Sequence, residues 1–410
     1  MGFLDPYCVV DFTNERGLLA GRMLADLGAD VIQVEPPDGS SARRVGPFLH
    51  DGGSLYWDAY AANKRGVTCD LGDMEERELA LRLCADADFV FESETPGVMA
   101  RRGVAYDDIR RVNPRVVYTS ITPFGSDGPK AHYAESELIL WASGGPLYAH
   151  RDGDRPPLRI SVPQAYLHAA ADAAGGALIA HHARTRSGLG QHVDVSAMQS
   201  VTQATLSRIL ATAVGDPQGS RLIAPEPEDE QGRRLDQSGS GSGTTGTKWK
   251  VRDGYVEMHL ALGPAVGRFT NNLFAWIREE GECDQRLAAL DWGTVPELVA
   301  NGRLGVDELE RARRIVADFL AGRTKRELVE ASLERKLLAA PVLTVGDLAE
   351  SRQLESRNYW LELGENERRR VLPGPFAQVD ADAFAFRRPA PRIGEHNAEV
   401  FAAVMGAGVT

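Results

Sequence analysis

Cysteine is scarce in this 410-residue chain: Cys8, Cys69, Cys84 and Cys283 are scattered, and none stands at metal-type spacing from another. A disulfide framework is thereby excluded, and free thiols in a reducing compartment are the simplest reading. No run of 18 apolar residues occurs, so no transmembrane helix is expected. The opening Met1-Gly-Phe-Leu-Asp-Pro6 lacks a basic segment followed by an apolar one. No export signal is therefore expected, and the expected location is the cytoplasm. Positive charge is in deficit, with 46 Lys and Arg against 58 Asp and Glu and a formal net charge of -12. Without a long basic run, this argues against nucleic acid or an anionic membrane as the main partner. Familiar catalytic signatures are missing too. There is no HExxH, no Gly-x-Ser-x-Gly elbow, and no Gly-Lys-Ser/Thr closing a phosphate loop. His181 and His182 are adjacent on a predicted helix and point about 100° apart, so they share no ligand face. No metal is expected.

The composition is that of an ordinary globular protein, 43% hydrophobic and 25% charged. The first part alternates β-rich runs with amphipathic ones. Cys8–Phe12 reads as a strand and Leu18–Leu27 as a helix stopped by Gly28; Val31–Val34 is the next strand. Helix Glu75–Cys84, strand Phe89–Phe91, helix Tyr106–Val112 and strand Val116–Ile121 follow. Such alternation implies βαβ units and a mainly parallel sheet. Gln164–Thr185 is Ala-rich and reads as a long helix, with Gly175-Gly176 inside it to admit a close neighbour.

Composition changes near residue 225. Pro225-Glu-Pro-Glu-Asp-Glu230 is acidic, and Ser238–Gly246 is glycine-rich, with Gly239, Gly241 and Gly243 at its centre. The expected organisation is a large domain over 1–224, a linker and loop over 225–247, a small domain over 248–340, and a return to the large domain over 341–410. Thr324-Lys-Arg-Glu327 reads as a capping box opening a helix.

Several motifs occur in order along almost the whole chain. They are Leu24–Glu35, Asn63-Lys64-Arg65, Val112–Tyr118, Thr122–Pro129, Gly188-Leu-Gly-Gln191 and Pro389–His396. Together they resemble family III CoA-transferases, the group that includes formyl-CoA and carnitine CoA-transferases. The resemblance implies an α/β fold: a doubly wound large domain from both chain ends, a smaller α/β domain, and an interlocked dimer. It also implies a coenzyme A thioester and a carboxylic acid as substrates, with no permanently bound cofactor. The glycine-rich loop corresponds to a family loop that closes over the intermediates.

In that family a nucleophilic aspartate follows a Val-Pro-x-Ala-like run and attacks the thioester, forming a mixed anhydride and then an aspartyl-CoA thioester. Counting back from the Gly-x-Gly turn places that aspartate at Tyr166. A carboxylate is ionised at neutral pH, whereas a phenol with a pKa near 10 is not. A phenol also cannot form the anhydride. The simplest reading is that Tyr166 fills the cavity with its hydroxyl hydrogen-bonded. Glu137 matches a supporting acidic position and is the fallback nucleophile; Glu135 reads as a solvated charge. Pro36, Ser93 and Glu94 depart from the family's nucleotide-contacting pattern. Lys64, Arg65, Arg101 and Arg102 remain as phosphate contacts, or as surface charges pairing with Glu75 and Glu76.

These departures are similar to those expected of a non-nucleophilic subunit paired with a homologous catalytic subunit, as in heteromeric members such as the succinyl-CoA:benzylsuccinate enzyme. Three alternatives stay open: an active homodimer using Glu137 or another acid, a 2-methylacyl-CoA racemase-like enzyme, and a non-enzymatic CoA-fold binding protein. For a racemase, Ser136 stands where a histidine is needed, and Gln164 or Tyr166 where an aspartate is.

Overall fold

The computed structural model describes residues 2–149, 156–206, 210, 247–283, 285–379 and 383–406. The chain divides into two compact units, Met1–Ile223 with Ser356–Thr410, and Ala224–Glu355.

In the first unit the strands are β1 (Cys8–Asp11), β2 (Asp30–Glu35), β3 (Arg65–Thr68), β4 (Phe89–Glu92), β5 (Val117–Thr122) and β6 (Gln191–Ser196). They form one parallel sheet in the order β3-β2-β1-β4-β5-β6. The helices are α1 (Leu18–Asp26), α2 (Leu55–Tyr60), α3 (Met74–Ala85), α4 (Val98–Arg101), α5 (Tyr106–Val112), α6 (Glu137–Gly144), α7 (Pro146–Ala149), α8 (Ala165–Ser187) and α9 (Ala197–Thr202). Successive strand residues face opposite sides, and both sides are apolar. Val9, Val31, Phe89, Phe91 and Val117 pack with α1 and the alanines of α8. Val10, Ile32, Val34, Val90 and Tyr118 pack with α3, α5 and Val400 of the helix Asn397–Gly406. The doubly wound α/β architecture is thus present, with helices on both faces. Gly28 takes φ +106°, and a Cβ there would lie 2.7 Å from the Gly2 Cα, so its place after α1 requires glycine.

Asn63 and Arg65 fasten the returning chain to this sheet. Asn63, at φ 68°, accepts from Arg387 N at 2.8 Å and donates to Ala385 O at 2.6 Å, while its own N–H donates to Arg388 O at 2.9 Å. Arg65 pairs with Asp30 and, at 2.9 Å, with Glu399.

In the second unit β7 (Lys248–Val251), β8 (Gly254–Met258) and β9 (Ala339–Val342) form an antiparallel sheet. Its core holds Trp249, Phe274, Trp276, Trp292 and Phe319. Thr324 and Glu327 form the expected capping box at the helix Lys325–Arg335. Residues 341–355, expected in the return to the large domain, belong to this unit: β9 pairs with β8, and Asp347 pairs with Lys325. The acidic stretch 225–230 and the loop glycines Gly239, Gly241 and Gly243 lie outside the described residues.

Candidate functional site

In an open parallel sheet, ligands gather where the strand order reverses, at the carboxyl ends of the strands. Here that point lies between β1 and β4. Asp11 ends β1 and is fully buried; its Oδ1 accepts from the N–H and hydroxyl of Thr13, at 2.9 and 2.6 Å. The following loop is locked to β4: Asn14 N donates to Ser93 Oγ, and Ser93 Oγ donates to Asn14 Oδ1, both at 3.0 Å. Arg16 extends from that loop. It donates from Nη1 to Ser93 O at 3.3 Å and from Nη2 to Glu135 Oε1 at 2.8 Å. Its guanidinium also lies 5.9 Å from the centroid of the Tyr166 ring.

Tyr166 reaches this place because Glu137 holds the start of α8. Glu137 Oε1 accepts from Gln164 N at 2.5 Å, Ala165 N at 2.9 Å and Trp141 Nε1 at 2.8 Å. A carboxylate at these two amide donors suits the partial positive charge of a helix start. This carboxylate is a clamp, and its Oε1 is committed.

The Tyr166 ring is half-buried at the edge of the core. Its hydroxyl is buried, with the Glu135 carboxylate acting on it and no other hydrogen-bond partner among the described residues. Burial first, then the charge of Glu135, raises the phenol above its ordinary pKa, so it is protonated at neutral pH. Glu135 is likewise no solvated charge. Its side chain is 14% exposed and paired with Arg16.

The proposed phosphate contacts fare differently. Lys64 has no exposed surface; its Nζ donates to Asp11 Oδ2 at 2.7 Å, Leu18 O at 2.9 Å and Gln33 Oε1 at 2.9 Å. It cannot touch a phosphate, because leaving this nest would strand the buried Asp11 carboxylate. Arg65 is committed to Asp30 and Glu399, not to Glu75 or Glu76. Arg101 is exposed and makes no ion pair among the described residues. Arg102 pairs with Glu94 at 3.1 Å.

Arg102 and Glu94 line a cleft of about 110 Å³ with Phe12, Pro36, Asp70 and Met99. It is small beside the roughly 300–1,000 Å³ of ordinary ligand pockets. Glu35 also lines it, held by Arg43 at 2.6 and 2.7 Å. With Arg102 and Arg43 each matched by a carboxylate and Asp70 in addition, this cleft offers a polyanion little attraction.

At the end of β4, Glu92 is buried, and this desolvation pushes its carboxyl up to about 7. Ser120 lies between it and His192, its hydroxyl 2.9 Å from Nε2.

Asn14 and Arg16 escaped the motif reading. The available signal was positional: they follow the first predicted strand, at the end of a parallel strand where sites form.

The family model described as CoA-transferase family III matches residues 4–397. The chain is 33% identical to the succinyl-CoA:(R)-benzylsuccinate CoA-transferase subunit BbsE of Thauera aromatica, over 96% of this chain and 92% of that protein. It is 28% identical to a succinate–glutarate CoA-transferase of Agrobacterium fabrum, over 94% and 91% of the two chains. A CAIB/BAIF family protein from Brucella suis shares the fold, with a TM-score of 0.78 at 24% identity, over 98% of this chain and 99% of that one.

Proposed function

The chain belongs to CoA-transferase family III, and on that premise we propose that it is the subunit of a heteromeric CoA-transferase that does not supply the nucleophile. A homologous subunit carries the reactive aspartate. The assembly moves CoA from an acyl-CoA donor to a carboxylic acid, and this chain adds architecture and part of the acid's surroundings.

The observation that carries this reading is Tyr166. The family reaction needs an ionised carboxylate that becomes an anhydride and then a thioester. Tyr166 brings a neutral, buried phenol to the start of α8. The cleft between Pro36 and Arg102 supports the same reading, since its positive charges are already matched. So does the likeness to BbsE, which is itself a subunit.

The test is an acyl-transfer assay with succinyl-CoA and a panel of acids, with and without a paralogue that carries the aspartate at the Tyr166 position. The chain alone should be inactive and the pair active. Hydroxylamine trapping followed by mass mapping should place the labelled carboxylate on the paralogue. A labelled acid in this chain would reject the proposal.

A further inference from the structure

A buried hydroxyl without a partner costs stability, and native proteins seldom leave one so. The Tyr166 hydroxyl has only the Glu135 carboxylate to meet that need among the described residues. The guanidinium of Arg16 lies 5.9 Å from the centroid of the Tyr166 ring; its side chain is 23% exposed and fixed from behind, tied to Ser93 O, and its loop is locked by the Asn14–Ser93 pair. A planar guanidinium presents five N–H donors in a rigid fork suited to carboxylates. One carboxylate already sits on it, and that carboxylate is Glu135. Glu135 belongs to the stretch 133–136, which is neither helix nor strand. It can therefore leave Arg16 without disrupting a helix or a strand ladder.

We propose that Arg16 and Tyr166 form a recognition site for the carboxylate of a small organic acid, and that Glu135 occupies it as an internal stand-in. The incoming acid exchanges one carboxylate for another on Arg16 and accepts a hydrogen bond from the Tyr166 hydroxyl. The position that the family uses for covalent chemistry is thereby turned to binding. The choice of an organic acid rests on the proposed CoA-transferase reading; the exchange of carboxylates rests on the geometry.

Isothermal titration of the full chain with sodium succinate, at ionic strength matched with sodium chloride, tests this. Glu135→Gln should raise the affinity about tenfold, since the neutral amide competes poorly for a guanidinium. Arg16→Gln should abolish binding. Tyr166→Phe should weaken it about fivefold, the loss of one hydrogen bond. Glu135→Ala repeats the first arm if the glutamine variant fails to fold. Equal affinity in the wild type and both Glu135 variants, or binding retained in Arg16→Gln, would overturn the proposal. The transfer assay fails separately: a chain that turns over alone sinks the subunit reading and leaves this ladder of affinities to be judged by itself.

Discussion

A lysine with no exposed surface cannot meet a ligand, however basic its motif. Lys64 was legible as a charge and not as a buried one, because its partners Asp11 and Gln33 lie 53 and 31 residues away in sequence. The same distance hid Glu135, whose partner Arg16 is 119 residues off. Lys64→Met should cost about 3–5 kcal/mol, mostly the price of stranding Asp11. Urea denaturation measures it, and a loss below about 1 kcal/mol would show that Asp11 finds another partner. Glu92 makes a second prediction at this scale. Its folded pKa, about 7, lies above its ordinary 4.5. Below pH 4.5 both states hold the proton. Between 4.5 and 7 only the folded chain keeps it, so stability falls as pH rises through that window and levels off above it. The loss is about 3 kcal/mol. Glu92→Gln should remove that slope, seen in urea midpoints at pH 5 and pH 8. An unchanged slope would mean that Glu92 ionises as it does in water.

The elements were the most readable part of the chain. Short β-rich runs became β1, β2, β4 and β5, and the capping box at Thr324 and Glu327 is in place. These signals are local, carried by residues a few positions apart. What α8 does with its glycines was not local. A Cβ at Gly176 would lie 2.9 Å from Val193 Cγ1 of β6, whereas one at Gly175 meets nothing within 4 Å. Gly175→Ala should therefore stabilise the chain by about 0.5–1 kcal/mol through helix propensity and a less flexible unfolded state. Gly176→Ala should show no such gain, because Val193 must shift. Thermal unfolding of the two variants side by side separates them, and an equal gain in both would contradict the packing at β6. The same non-local logic governs the start of α8. Gln164 was legible as its boundary, but the carboxylate that holds it comes from Glu137, 27 residues earlier.

Across the whole molecule, two units are built from one interrupted and one continuous stretch of chain. The family was legible in scattered motifs, and the match over residues 4–397 shows it. Tyr166 and Glu137, singled out in the sequence, come together at the start of α8. The basic half of the site reads differently in the structure: Asn63 and Arg65 hold the chain's own C-terminal segment, and Lys64 is buried against Asp11 and Gln33. Joined to the matched charges around Arg102, this leaves Arg101, of the four expected phosphate contacts, as exposed and without an ion pair among the described residues. The proposed reading is of a chain that keeps the family's scaffold and leaves the nucleophile to a homologous subunit. The most direct measurement is CoA transfer from succinyl-CoA by the purified chain alone, with mass mapping of any trapped adduct. The account predicts no turnover and no modified carboxylate on this chain until the homologous subunit is added. Sustained turnover by the chain alone, with an adduct on one of its own carboxylates, would contradict it.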